Sequence, residues 1–237
     1  WASLESQTAA KGEIPWKSLE LPVRPPMLPL FGKVKSFFMT PEMVVANRPI
    51  APPSTKSLQF TKELTEIKSY SNNPTRKNME IVTFWADGVG TYTPPGHWNA
   101  IASADFVKEN FSEVRWARNM ALINIAMMDA AISCWDAKYT YFNPRPSQVD
   151  PSIKTLTGTP NFPAYVSGHS TFSGAAATLL SHLIPAKAEG YNAMANEASI
   201  SRMYGCIHYR SDCEKGLELG KKVGNIAISR ALIDGAE

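Results

Sequence analysis

Histidine and cysteine are scarce in this chain: four and three, respectively, among 237 residues. Cys134, Cys206 and Cys213 are odd in number and show no metal-ligand spacing such as C-x-x-C, so at least one thiol is unpaired and nothing points to a cysteine metal site. No Lys/Arg-rich run occurs, and a formal net charge of +3 is too small and too evenly spread for nucleic-acid binding. Any anion site must therefore be local. The longest apolar stretch, Met120 to Trp135, is interrupted by Asn124 and Asp129 and falls short of the roughly 18 to 20 residues that a membrane helix needs, so no span is expected. Alternating strand patterns are almost absent as well, which leaves an all-α reading. No segment looks like a signal peptide, and the chain begins at Trp1 without Met, as a processed or truncated piece of something longer would.

What is present starts with proline. PWKSLELPVRPPMLPLFG and NRPIAPPS lie within residues 1–55, where prolines remove donors and restrict their predecessors. This region reads as an extended or irregular arm packed on the body of one domain spanning 1–237, without long helices. From Ser57 the pattern turns helical through SLQFTKELTEIKSYS, MEIVTFWAD and HWNAIASADFVKENF, with a turn at SNNPT and a loop at GVGTYTPPG. The strongest helix candidate starts near Ser112 and runs until Pro144 and Pro146; apolar on most faces, it should be the central helix of a bundle filling 112–237. A further helix is expected from about Ser170 to His182, then EGYNAMANEASISRMYG, then a last stretch from about His208.

Three blocks carry chemistry. In KYTYFNPRP, Lys138 ends the central helix and Arg145 follows between prolines; alone, a solvated cation pair at a helix C-terminus explains them. In Ser167-Gly168-His169, serine and glycine are ordinary helix-start residues, but the same N-terminus offers unpaired N–H groups to an anion. In SRMYGCIHYRSD, His208 and Asp212 are four apart and on a helix would share a face, where the carboxylate orients the imidazole. Jointly the blocks supply complementary parts of one oxyanion site. Lys138, Arg145 and Arg202 are cations, Ser167 and the Gly168 N–H are neutral donors, His208 can bind the central atom, and His169 can move a proton.

Lys138-x6-Arg145-Pro146, Ser167-Gly168-His169 and Ser201-Arg202-x5-His208-x3-Asp212 resemble the three-part signature of the type-2 phosphatidic acid phosphatase and vanadium haloperoxidase superfamily. Ten positions match in order and spacing; Val166 stands where the family usually has proline. The resemblance implies an all-α helical bundle of that type, with a second bundle in full-length relatives, so this chain reads as the C-terminal part of a longer protein. It implies vanadate as cofactor, with phosphate able to occupy the same site. His208 would be the only protein ligand to vanadium, and Lys138 would hydrogen-bond to bound peroxide. Trp135 and Phe162, placed where haloperoxidases carry aromatics, are halide-site candidates, and FWADGVGTYTPPGHWN also looks like bacterial members of this group. The implied substrates are hydrogen peroxide, halide and a small organic molecule, and the implied location is periplasmic or secreted.

The alternatives are a soluble acid phosphatase with His208 as nucleophile and His169 as general acid, or a non-catalytic oxyanion-binding protein. A zinc hydrolase built on His97, His169, His208 and Asp212 is disfavoured by three cations aimed at one place. Capping or packing is the expectation for His97, and His182, before a proline at a helix end, needs no functional explanation. Cys206 and Cys213 would be too far apart for a disulfide if helix separates them.

Overall fold

The computed structural model describes residues 2–236, so Trp1 and Glu237 lie outside the described residues. Among the described residues there are helices and no strands, as the absence of alternating patterns implies. The central helix α6 (Glu113–Tyr141) starts at Ser112, whose side chain accepts the Arg115 N–H. It stops where Phe142 turns left-handed (φ 54°) and closes on the Lys138 carbonyl, just ahead of Pro144 and Pro146. Its buried residues occur on every turn from Asn119 to Tyr139, so it is a core helix, packed against α8 (Gly168–Leu183) and α10 (Arg210–Ala231). By length and composition the stretch Glu113–Val149 would suffice to cross a membrane, contrary to the count made from its apolar run. Within the fold, however, 72% of its apolar window is buried inside the protein.

Helices α8 and α10 pack beside α6, and α9 (Ala188–Tyr204) packs on α8 and α10. Gly216, Gly220 and Gly224 of α10 recur every fourth residue and face α8. A Cβ on Gly220 would lie 2.2 Å from the Thr171 carbonyl oxygen and one on Gly174 of α8 2.7 Å from that of Leu217. The two backbones therefore touch, and the glycines are there because no side chain fits between them. This contact brings the first turns of α8 and α10 side by side, and the Ser167 N–H bonds to the Asp212 carbonyl at 2.9 Å.

Residues 2–55 are not wholly irregular. Helix α1 (Ala2–Ala10) and α2 (Pro41–Asn47), the latter with proline in its first turn and Thr40 as cap, are short enough to avoid the proline penalty. Trp16 is buried edge-on against Phe142, Asp129 of α6 accepts the Phe37 and Phe38 N–H groups, and Asp136 takes a two-pronged bond from Arg48. Helices α3 (Leu58–Asn72), α4 (Arg76–Phe84) and α5 (Thr93–Phe106) fill the interval to α6. Here the expected loop at GVGTYTPPG is too long: Pro94 and Pro95 sit in the first turn of α5, where their missing N–H groups leave no bond unmade. A four-residue turn of helix, α7 (Pro146–Val149), follows Arg145.

Candidate functional site

The ends of α6, α8, α9 and α10 meet, and each brings one part of the three blocks. Lys138 comes from the last turn of α6, Arg145 from the loop behind it, Ser167-Gly168-His169 from the start of α8, and Arg202 from the last turn of α9. His208 lies in the connection to α10, and Asp212 in its first turn. Lys138, Arg145, Arg202, His208 and Asp212 are all at most 3% exposed.

His208 is not on a helix, so the expected same-face pairing with Asp212 is replaced by a capping geometry. Asp212 Oδ2 accepts the backbone N–H of Tyr209, the N-cap residue of α10, at 3.0 Å and also faces His208 Nδ1 at 2.9 Å. One carboxylate thus starts the helix and orients the imidazole. With the proton on Nδ1, the lone pair on Nε2 faces Arg145 Nη1 at 3.0 Å. Burial, together with the charges of Arg145 and Lys138, pushes the His208 pKa well below its ordinary value. A lowered pKa disfavours the protonated ring, so His208 is expected to stay neutral when the pH falls past the ordinary histidine value. In anion-free protein at about pH 5.5, long-range 1H–15N NMR should show one protonated ring nitrogen, and two protonated nitrogens would refute it.

Burial also lowers both guanidinium pKa values to about 10, which leaves Arg145 and Arg202 charged at neutral pH. Arg145 spends its donors on the Ile207 and Phe162 carbonyls as well as on His208. Arg202 bonds to Ser201 Oγ at 2.8 Å and to the Val82 carbonyl at 3.4 Å. Lys138 departs from the expectation of a cation free to meet a ligand. Its ammonium donates to the carbonyls of Pro163, Ala164 and Val166 at 2.8, 3.0 and 2.6 Å, because a dry ammonium needs acceptors and the loop before α8 supplies three. The same burial drives its pKa down. Ser167 caps α8 by accepting the Ser170 N–H at 3.4 Å, which leaves its hydroxyl hydrogen for another partner.

Trp135 and Phe162 meet at 5.0 Å between ring centroids, with the Lys138 ammonium 4.8 Å above the Phe162 ring. Trp135 Nε1 is buried and has no hydrogen-bond partner. A Cβ on Gly168 would meet only Phe172 and Trp135 at ordinary contact distances, so the protein itself does not require glycine there.

Asp87, which the sequence does not single out, lies beside this candidate site. It lies in the turn between α4 and α5, its Oδ2 3.9 Å from His169 Nε2, and His97 Nδ1 faces its two oxygens at 3.1 and 3.2 Å. Asp87 ends MEIVTFWAD, a segment expected to be helical, immediately before the expected loop, and an Asp-Gly pair at that junction is the available signal. His97 packs, as expected, but against a residue of the site rather than away from it. His182 sits near the other end of α8, roughly 20 Å from His169 at 1.5 Å per residue. The three thiols are free and buried, although Cys206 and Cys213 are separated by a bend rather than by helix. Among the described residues, no three His, Cys, Asp or Glu side chains converge as a metal site, so His97, His169, His208 and Asp212 do not form the zinc cluster considered above.

The sequence pattern of the PAP2 superfamily matches residues 118–230. The vanadium chloroperoxidase of Curvularia inaequalis is 33% identical over a match covering 39% of this chain and 20% of that protein. Among solved structures, a bacterial vanadium-dependent iodoperoxidase superposes with a TM-score of 0.82 at 30% identity, covering 91% of this chain and 60% of that one. A bacterial vanadium-dependent chloroperoxidase in its apo form gives 0.73 at 14% identity over 85% of this chain and 55% of that one, a likeness of fold. A transmembrane PAP2-type phosphatidylglycerolphosphate phosphatase from Bacillus subtilis shares the fold at 0.59 and 13% identity, over 77% of this chain and 92% of that one. The chain therefore spans a fifth of the chloroperoxidase from Curvularia and about three fifths of the iodoperoxidase.

Proposed function

The chain is a vanadium haloperoxidase-like member of the PAP2 superfamily, and on that premise we propose that it binds vanadate and oxidises halide with hydrogen peroxide to hypohalous acid. The observation that carries this reading is Trp135. An indole N–H that is buried and unpaired is costly, by roughly 1–3 kcal/mol, unless an acceptor reaches it. A halide beside the Trp135–Phe162 wall and the Lys138 charge is such an acceptor, and ester hydrolysis has no use for one.

The residues fit the cofactor. Two buried guanidinium groups, joined by Lys138, whose pKa burial lowers to about 7 and which a bound anion would hold protonated, stand against the two buried carboxylates of Asp87 and Asp212, an arrangement suited to an anion, and Gly168 leaves room for one to approach its backbone. Arg145, Arg202, Lys138, Ser167 and the Gly168 N–H would hold the oxyanion, with His208 Nε2 as the ligand to vanadium. Bound vanadate supplies a Lewis acid that polarises peroxide without changing oxidation state. His169, whose pKa burial and Arg202 lower, is neutral and able to take a proton from incoming peroxide at its lone-pair nitrogen. Lys138 must give up one loop carbonyl to turn an ammonium hydrogen toward peroxide.

The test is bromide and iodide oxidation by protein loaded with orthovanadate and stripped of phosphate, alongside p-nitrophenyl phosphate hydrolysis by the vanadate-free protein. Vanadate-dependent oxidation that added phosphate suppresses is the expected result. Hydrolysis without halide oxidation would instead assign His208 as a phosphatase nucleophile and His169 as its general acid, leaving Trp135 and Phe162 as packing residues.

A further inference from the structure

His97 is enclosed by aromatic rings. It stacks on Trp85 with centroids 4.5 Å apart and meets Phe84 and Tyr92 edge-on at 5.0 and 5.3 Å. Packing alone would accept any flat ring there. The hydrogen bonding is more specific, because Nδ1 faces both oxygens of Asp87, and the two side chains are only 6% and 4% exposed. Asp87 itself has φ 44°, in the left-handed region, which aspartate enters more readily than most non-glycine residues. The oxygen Oδ2 of the same carboxylate lies 3.9 Å from His169 Nε2, a buried ring nitrogen that completes no hydrogen bond of its own, and the Trp85 and Ala86 carbonyls are the other acceptors that bear on this ring. A shift of about 1 Å would close that gap to a hydrogen bond.

We propose that His97 is a positioning residue: by donating its Nδ1–H to Asp87 it fixes the carboxylate opposite His169, which keeps the His169 ring proton on Nε2 and leaves Nδ1 as the basic nitrogen. A carboxylate facing one nitrogen of an imidazole selects the tautomer protonated there. The order His97, Asp87, His169 thus sets which nitrogen can accept a proton, although His97 touches neither the oxyanion ligands nor His208. The inference rests on the reading of His169 as the proton-moving group and adds the residue that prepares it.

The chain has four histidines, so long-range 1H–15N NMR of the vanadate-free protein can follow each ring. The wild type is expected to show His169 protonated at Nε2 and bare at Nδ1. His97→Phe keeps a ring in the aromatic enclosure and removes the donor, and the two His169 nitrogen shifts should then move toward each other as the tautomers mix. His97→Leu, run beside it, removes the donor with a smaller side chain should phenylalanine not be accommodated. His97→Asn, whose amide nitrogen sits where Nδ1 does, should restore the wild-type pattern. In the vanadate-loaded protein, iodide oxidation should lose about tenfold in kcat with an unchanged KM for iodide in His97→Phe, and recover in His97→Asn. His169 shifts identical in wild type, His97→Phe and His97→Leu would overturn the proposal and leave His97 as packing. If the shifts move but loaded wild-type protein oxidises no halide, the positioning role stands and the haloperoxidase reading fails.

Discussion

His208→Ala is expected to reduce vanadate-dependent iodide oxidation at least about a hundredfold, since even residues that only support a metal ligand are worth about 10- to 100-fold. The geometry gives the reason. His208 Nε2 is the nitrogen whose lone pair is held toward the cations, with Asp212 occupying Nδ1 at 2.9 Å and Arg145 3.0 Å from Nε2. No water-exposed histidine can replace it, because Arg145 and Arg202, which would grip the oxyanion, are buried at that place. The variant should also lose affinity for orthovanadate, read by equilibrium dialysis without turnover. Activity retained within a few fold would place the vanadium ligand elsewhere and remove the basis of the proposed function.

Gly220→Leu is expected to cost more stability than an ordinary core substitution, about 3 kcal/mol or more. A Cβ at this position already lies 2.2 Å from the Thr171 carbonyl and 2.8 Å from the Ala175 nitrogen. Both are backbone atoms of α8, so no rotamer change relieves the clash and the helices must separate. Separation would also part Ser167 from Asp212, whose backbones are joined at 2.9 Å, and so spoil the site. Gly190→Ala is the control: it lies within α9 with nothing inside 4 Å of the added Cβ, and should stabilise by up to about 1 kcal/mol through helix propensity alone. Urea denaturation of the pair measures both. Equal effects would mean that the α8–α10 approach is not as close as the glycine row makes it.

Much of the fold was readable before the structure. Ser112 and the prolines at 144 and 146 bracket α6 nearly to the residue, because capping and proline act within one turn of chain. The glycine row in α10 is not legible in the sequence, since Gly216, Gly220 and Gly224 disfavour a helix one by one and acquire a purpose only against α8. The loop expected at GVGTYTPPG is too long by its last four residues, Thr93 to Gly96, for an equally local reason, as proline breaks a helix interior but suits a first turn.

For the candidate site, the residue types, their order and their spacing are properties of the chain: three cations, a Ser-Gly-His helix start, and a histidine four residues before an aspartate. Tertiary structure decided what each group is free to do. It turned Lys138 onto the Pro163, Ala164 and Val166 carbonyls, converted the His208–Asp212 pair from a helix face to a helix cap, and set Asp87 between His97 and His169. The physical reason is range. Capping and periodicity act over a few residues and are written locally, whereas a buried charge must find its acceptors among whatever distant backbone the packing brings within 3 Å.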